Sequence, residues 1–255
     1  MTLEHGGDLF AAQQVYSGEI LDFSVNINPL GPAPQALEAA RAALERAGEY
    51  PDPLCRALRQ AIAARDGVQP EQVLCGNGAA EVIFRLALAL RPRAALLTAP
   101  TFAEYEGALR QVGCDCRFHL LREDVQFDVT EEILGAIEAP IELVVLCSPN
   151  NPTGRVIAPA LLEKILARCR VIGARLLLDE CFLPLAQAGP GMACLLYTSL
   201  GNGETVAVGS RLRGSGSTGV PCGEGCIAVL GNNHPASALI VLFLYVMIGL
   251  DPVCN

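Results

Sequence analysis

A chain of 255 residues, 51% of them hydrophobic and 18% charged, can bury a sizeable core and has the size of one large domain or two small ones. Its formal charge of -9 argues against binding to a nucleic-acid backbone, where affinity comes from clustered Lys and Arg, and favours a small-molecule partner. The opening MTLEHGGDLF has neither a basic nor an apolar stretch, so export is not expected and a cytoplasmic location follows.

Leu37, Ala40 and Leu44 recur at helical spacing, and so do Leu54, Leu58 and Ile62. Val73-Leu74-Cys75 then leads into the turn Gly76-Asn77-Gly78, which opens a helical run from Ala79 to Leu90. Short, almost continuously apolar runs at Ala94 to Thr98, Leu143 to Cys147 and Arg175 to Leu178 predict strands buried on both faces. Between the last two, Leu162, Ile165 and Leu166 mark another helix. From Pro34 to Leu200 this alternation predicts an α/β fold, with helices on both faces of a mostly parallel sheet. The strand runs end at Thr98-Ala99-Pro100, Ser148-Pro149-Asn150-Asn151 and Asp179-Glu180. Open α/β sheets bind ligands beyond the carboxyl ends of their strands, so the three ends nominate one crevice.

After Met192 the periodicity fades into Gly- and Ser-rich sequence. The closing apolar stretch, Ala238 to Leu250, is shorter than the ~20 residues that span a bilayer and reads as a buried segment or a spurious tail. The eleven Cys read as reduced thiols, several of them buried, with Cys75, Cys147 and Cys181 in or beside strands. Cys114/Cys116 and Cys222/Cys226 lack a second set of ligands at zinc spacing, and no metal is assigned.

Two strings carry chemistry. Gly76-Asn77-Gly78 opens a helix whose free amides can hold a phosphate, although such a turn is often only a turn. Ser148-Pro149-Asn150-Asn151-Pro152-Thr153-Gly154 sets two amides on a stiff backbone directly after a buried strand. This second string resembles the Asn-Pro-Thr-Gly motif of aminotransferase-type pyridoxal-phosphate (PLP) enzymes of fold type I. The resemblance implies that Asn151 bonds the phenolic oxygen of PLP. Leu176-Leu177-Leu178-Asp179-Glu180-Cys181-Phe182 resembles the family's strand ending in Asp-Glu, which implies that Asp179 faces the pyridine nitrogen and keeps it protonated. Ala99-Pro100-Thr101-Phe102-Ala103-Glu104-Tyr105 resembles the segment whose aromatic ring, here Phe102, stacks on the cofactor, and Gly78 and Ala79 take the phosphate-binding turn. Tyr50-Pro51-Asp52 resembles a motif whose tyrosine, here Tyr50, reaches the neighbouring subunit's cofactor, which implies a homodimer.

His5-Gly6-Gly7-Asp8 and Asp22-Phe23-Ser24-Val25-Asn26-Ile27-Asn28-Pro29-Leu30-Gly31 resemble the opening of the threonine-phosphate decarboxylase branch, which is related to histidinol-phosphate aminotransferase. That branch implies a small phosphorylated amino acid as substrate, with its phosphate at His5, Gly6 and Asn26. Phe182, where the aminotransferase relative has Tyr, leans the same way. The expected organisation is an N-terminal arm (1–33), an incomplete PLP-binding large domain (34–196) and a divergent segment (197–255), with the family's small C-terminal domain missing.

One departure is decisive for activity. PLP enzymes hold the cofactor aldehyde on a lysine, which this family carries in a Ser/Thr-Lys segment. Here 208–224 reads VGSRLRGSGSTGVPCGE, and the chain's single lysine, Lys164, lies in a helical context. Gly225-Cys226-Ile227-Ala228-Val229-Leu230 again resembles the strand that follows the family's lysine segment. Similarity on both sides of a scrambled stretch implies a shifted reading frame or a chimeric sequence, with a degenerate paralogue as the alternative. No catalytic residue is therefore assigned. The expected function is a threonine-phosphate-decarboxylase-like protein of cobalamin biosynthesis, inactive as written. The alternatives are a histidinol-phosphate-aminotransferase-like enzyme and a non-catalytic fragment or phosphate binder.

Overall fold

The structure is a computed structural model that describes residues 6–25, 28, 30–66, 68–183, 186, 224–229 and 239–246. Its helices are α1 (Leu9–Val15), α2 (Pro34–Leu44), α3 (Arg56–Asp66), α4 (Gly78–Leu90), α5 (Ala103–Gln111), α6 (Ile133–Ala136) and α7 (Pro159–Ile172). Its strands are β1 (Val73–Gly76), β2 (Ala94–Ala99), β3 (Asp115–Leu120), β4 (Leu143–Cys147), β5 (Arg175–Asp179), β6 (Glu224–Val229) and β7 (Leu239–Val246).

The strands form one seven-stranded sheet in the order β1-β6-β7-β5-β4-β2-β3. β2 runs parallel to β3 and β4, β4 parallel to β5, and β5 parallel to β7, whereas β6 is antiparallel to both neighbours. The predicted fold class, a mostly parallel sheet between helices, is the one observed. Within the stretch Ala238 to Leu250, read from sequence as a buried segment or a spurious tail, Leu239–Val246 is a strand paired between β5 and β6.

The alternation of side chains along a strand explains the layers. Ala94, Leu96, Val144, Leu146, Leu176 and Leu178 join a core with Ile62 of α3, Ile133 of α6 and Leu162, Ile165 and Leu166 of α7. Ala95, Leu97, Leu143, Val145, Cys147 and Leu177 join a second core with Val82, Ile83 and Leu86 of α4 and Tyr105, Ala108 and Leu109 of α5. Each fully buried Leu or Ile contributes about 1.5–3 kcal/mol relative to exposure, which is why the stretches 94–97, 143–147 and 176–178 of these strands carry no charged or strongly polar residue. α2 and α7 both begin at a proline, where the missing N–H costs no helix bond.

β3 and α5 were not among the predicted elements. β3 is an edge strand with mostly exposed or half-buried residues, so it lacks the apolar run that marks β2, β4 and β5. No helix among the described residues is long and apolar enough to cross a membrane.

Candidate functional site

Asp179 is the last residue of β5 and follows Leu177 at the strand period, so its side chain projects to the α4/α5 face of the sheet. It is 3% exposed. The Tyr105 hydroxyl donates to Asp179 Oδ2 at 2.6 Å, and the Cys181 backbone N–H donates to Oδ1 at 2.9 Å. Burial pushes the Asp179 carboxyl above its ordinary value, while the bonds from Cys181 and Tyr105 oppose that shift. No cation pairs with Asp179 among the described residues. The arrangement is a buried acid held by neutral donors, with acceptor capacity left for a cationic N–H.

β4 lies beside β5, with Cys147 in register with Asp179 and the Ser148 N–H donating to the Asp179 carbonyl at 2.8 Å. The segment that follows β4 is locked in place by residues whose role the sequence did not reveal. Asn150 Nδ2 donates to the Pro100 carbonyl at 3.1 Å and to Thr153 Oγ1 at 3.0 Å, and Asn150 Oδ1 accepts from Thr101 Oγ1 at 3.0 Å. Ser148 Oγ accepts from the Ile157 N–H at 3.0 Å. Arg155 grips Asp128 through Nε at 2.7 Å and Nη2 at 3.0 Å, and reaches Gln126 Oε1 at 2.7 Å. Asn150 is buried and spent on this fastening, whereas Asn151 is half-buried at the start of the turn. The neighbouring strands β2, β4 and β5 thus deliver Pro100 to Phe102, the Asn150-Asn151 pair and Asp179 at one end of the sheet, as the three strand ends predicted.

Phe102 immediately precedes α5, is half-buried, and meets Tyr105 edge-to-face with ring centroids 5.6 Å apart. Gly78 opens α4 with φ +79, and a Cβ there would meet nothing within 4 Å. The amides of Gly78 and Ala79 belong to the first turn, whose N–H groups have no acceptor within the helix, while the Asn77 N–H is taken by the Glu81 carboxylate. Tyr50 is fully exposed between α2 and α3.

In the N-terminal arm, Gly6 and Gly7 lie against Ser24: the Gly7 N–H donates to Ser24 Oγ at 2.7 Å, and Ser24 Oγ donates to Asp22 Oδ1 at 2.5 Å. The two motifs assigned from sequence to a substrate phosphate are therefore adjacent. His5, Asn26 and the stretch 208–223 lie outside the described residues. Asp8 is committed elsewhere, capping α1 by accepting from the Ala11 N–H at 2.8 Å. Lys164 sits on α7, on the sheet face opposite the Asp179 side chain, and pairs with Glu131 at 2.5 Å.

Residues 18–210 match the family model described as aminotransferase class I and II. The chain belongs to that family. Enzymes of the aminotransferase class I and II family are PLP-dependent, and the groups here are of the kind that cofactor needs: a buried carboxylate that no described cation pairs with, helix-opening amides and a half-buried aromatic ring. The chain is 40% identical over 182 residues to threonine-phosphate decarboxylase of Salmonella typhimurium, covering 70% of this chain and 50% of that protein. Against histidinol-phosphate aminotransferase of Moorella thermoacetica the identity is 31% over 209 residues, covering 81% of this chain and 53% of that protein. The crystal structure of L-threonine-O-3-phosphate decarboxylase from Porphyromonas gingivalis superposes with a TM-score of 0.52 at 26% identity, covering 60% of this chain and 44% of that one. The chain spans about half the length of the curated relatives it matches.

Tyr105 is the functional candidate that sequence reading passed over. The available signal was its spacing: three residues after Phe102, at the start of a helix, it falls on the same face as that ring.

Proposed function

We propose that this chain is the cofactor-binding part of a PLP-dependent decarboxylase of cobalamin biosynthesis that acts on threonine phosphate. The observation that carries the cofactor reading is the buried Asp179 carboxylate, held by neutral donors of Tyr105 and Cys181 at the carboxyl end of β5. When bound, PLP supplies an electron-accepting ring. Asp179 holds a proton at the ring nitrogen, because an opposite charge in contact favours the charged form by about 1–3 pKa units. Asn151 donates to the phenolic oxygen. The amides of Gly78 and Ala79 take the cofactor phosphate, and Phe102 covers one face of the ring and excludes water from it. Tyr50 serves the cofactor of a partner subunit, so the working form is a homodimer.

His5, Gly6 and Asn26 bind the substrate phosphate and thereby orient its α-carbon. The higher identity to threonine-phosphate decarboxylase, 40% against 31%, supports loss of the carboxylate over amino transfer. The histidinol-phosphate aminotransferase reading is the alternative within the same family. The chain as written has no lysine for the cofactor aldehyde other than Lys164, which α7 carries on the other side of the sheet. It binds without turning over.

Equilibrium dialysis tests the cofactor reading. PLP should bind saturably and noncovalently, and Asp179→Ala should weaken it by about tenfold or more, the cost of losing a hydrogen bond to a charged group. Equal affinity in the parent and the variant would remove Asp179 from the site.

A further inference from the structure

Resting on the reading of Asp179 as the partner of the cofactor's ring nitrogen, we propose that Tyr105 is a positioning residue that holds the Asp179 carboxylate in a fixed orientation for that nitrogen. Tyr105 is 1% exposed and sits in the first turn of α5, locked among Leu97, Ala108 and Leu109 in the core on that face of the sheet. Its hydroxyl donates to Oδ2 at 2.6 Å while the Cys181 N–H donates to Oδ1 at 2.9 Å, so each carboxylate oxygen has a fixed donor. With both oxygens tied, the carboxylate cannot turn about its terminal bond, and the lone pairs left over point along one set of directions.

The chemistry of the donor matters as much as its position. Burial and the Asp179 charge push the Tyr105 phenol well above its ordinary value, so it remains a neutral donor. An Arg or Lys in this place would neutralise Asp179 and compete with a cationic ligand. A phenol fixes the carboxylate and leaves its charge for the ring N–H. The same residue couples two parts of the site, because Phe102, on which the ring face rests in the cofactor reading, meets Tyr105 edge-to-face at 5.6 Å.

The test compares PLP with its carbocyclic analogue, in which a C–H replaces the ring nitrogen, on the chain as it stands. Tyr105→Phe should weaken PLP about tenfold and leave the analogue within about twofold, since only PLP calls on the oriented carboxylate. In an Asp179→Asn background, Tyr105→Phe should add no further loss. Equal weakening of both probes, an unchanged PLP affinity, or an added loss in the Asp179→Asn background overturns the proposal. If Asp179→Asn itself fails to distinguish the two probes, the cofactor reading of Asp179 falls and takes the proposal with it, an outcome separate from failure of Tyr105→Phe alone. Should Tyr105→Phe not fold, 3-fluorotyrosine at position 105 keeps the ring and strengthens the donor. It should tighten PLP and leave the analogue unchanged, and equal affinities for PLP with and without fluorine overturn the proposal.

Discussion

Gly6 packs so closely on Ser24 that a Cβ on the glycine would lie 2.1 Å from the Ser24 carbonyl oxygen, a distance no side chain tolerates. The contact joins two segments of the arm that sequence resemblance alone had paired. Gly6→Ala should therefore push the segments apart and break the bond from the Gly7 N–H to Ser24 Oγ. A neutral hydrogen bond contributes about 0.5–1.5 kcal/mol, so exchange of the Gly7 amide should quicken by roughly two- to tenfold, with little change in global stability. Unchanged exchange would show that the arm closes without this contact.

Lys164 pairs with Glu131 on the α7 side of the sheet, away from Asp179. Incubation with PLP followed by borohydride reduction should yield no stoichiometric pyridoxyl-lysine peptide. Full labelling of Lys164 on mass spectrometry would place the cofactor on the side of the sheet opposite Asp179 and remove Asp179, Asn151 and Phe102 from its site.

Stability should depend on pH through Asp179. Burial raises its folded-state value above the ordinary 3.8, so between 3.8 and the raised value the folded chain holds a proton that the unfolded chain has released. The folded state binds more protons in that window, and stability falls as pH rises through it and then levels. In Asp179→Asn that descent should disappear. Denaturant melts of the parent and Asp179→Asn across that window decide the matter, and parallel curves would count against a raised Asp179.

The two cores should respond independently. Leu97 and Ile165 are both fully buried, on opposite faces of the sheet. Leu97→Ala and Ile165→Ala should each cost about 2–5 kcal/mol, and the double variant should equal their sum within about 0.5 kcal/mol. A large departure from additivity in denaturant melts would contradict the layered packing.

The proposed phosphate site at His5, Gly6 and Asn26 is tested on substrate choice in a variant given the family's lysine segment. Losing a hydrogen bond to a charged phosphate costs roughly 1.5–3 kcal/mol, and tenfold in rate is about 1.36 kcal/mol. His5→Ala should thus slow carbon dioxide release from threonine phosphate by about ten- to a hundredfold. Efficient amino transfer from histidinol phosphate without carbon dioxide release would promote the aminotransferase reading instead.

The sequence by itself determined the strands β2, β4 and β5 and the end of the sheet at which the residues that follow them collect. β2, β4 and β5 are buried on both faces, so burial forces a continuous apolar run, and the first polar residues after each run mark its carboxyl end. It also carried the Asn-Asn-Pro-Thr-Gly and Asp-Glu strings and the missing lysine, because these are local patterns. It could not expose β3, whose edge position removes the apolar signal, or the insertion of β7 between β5 and β6. Nor could it pair Tyr105 with Asp179, 74 residues apart, or tie Asn150 to Thr101, 49 residues apart. Periodicity and motif spacing report only on a residue's own segment, whereas a hydrogen bond between segments depends on where packing of the whole sheet brings each side chain. Only the tertiary structure decides which of two adjacent asparagines fastens the loop and what holds the buried carboxylate still.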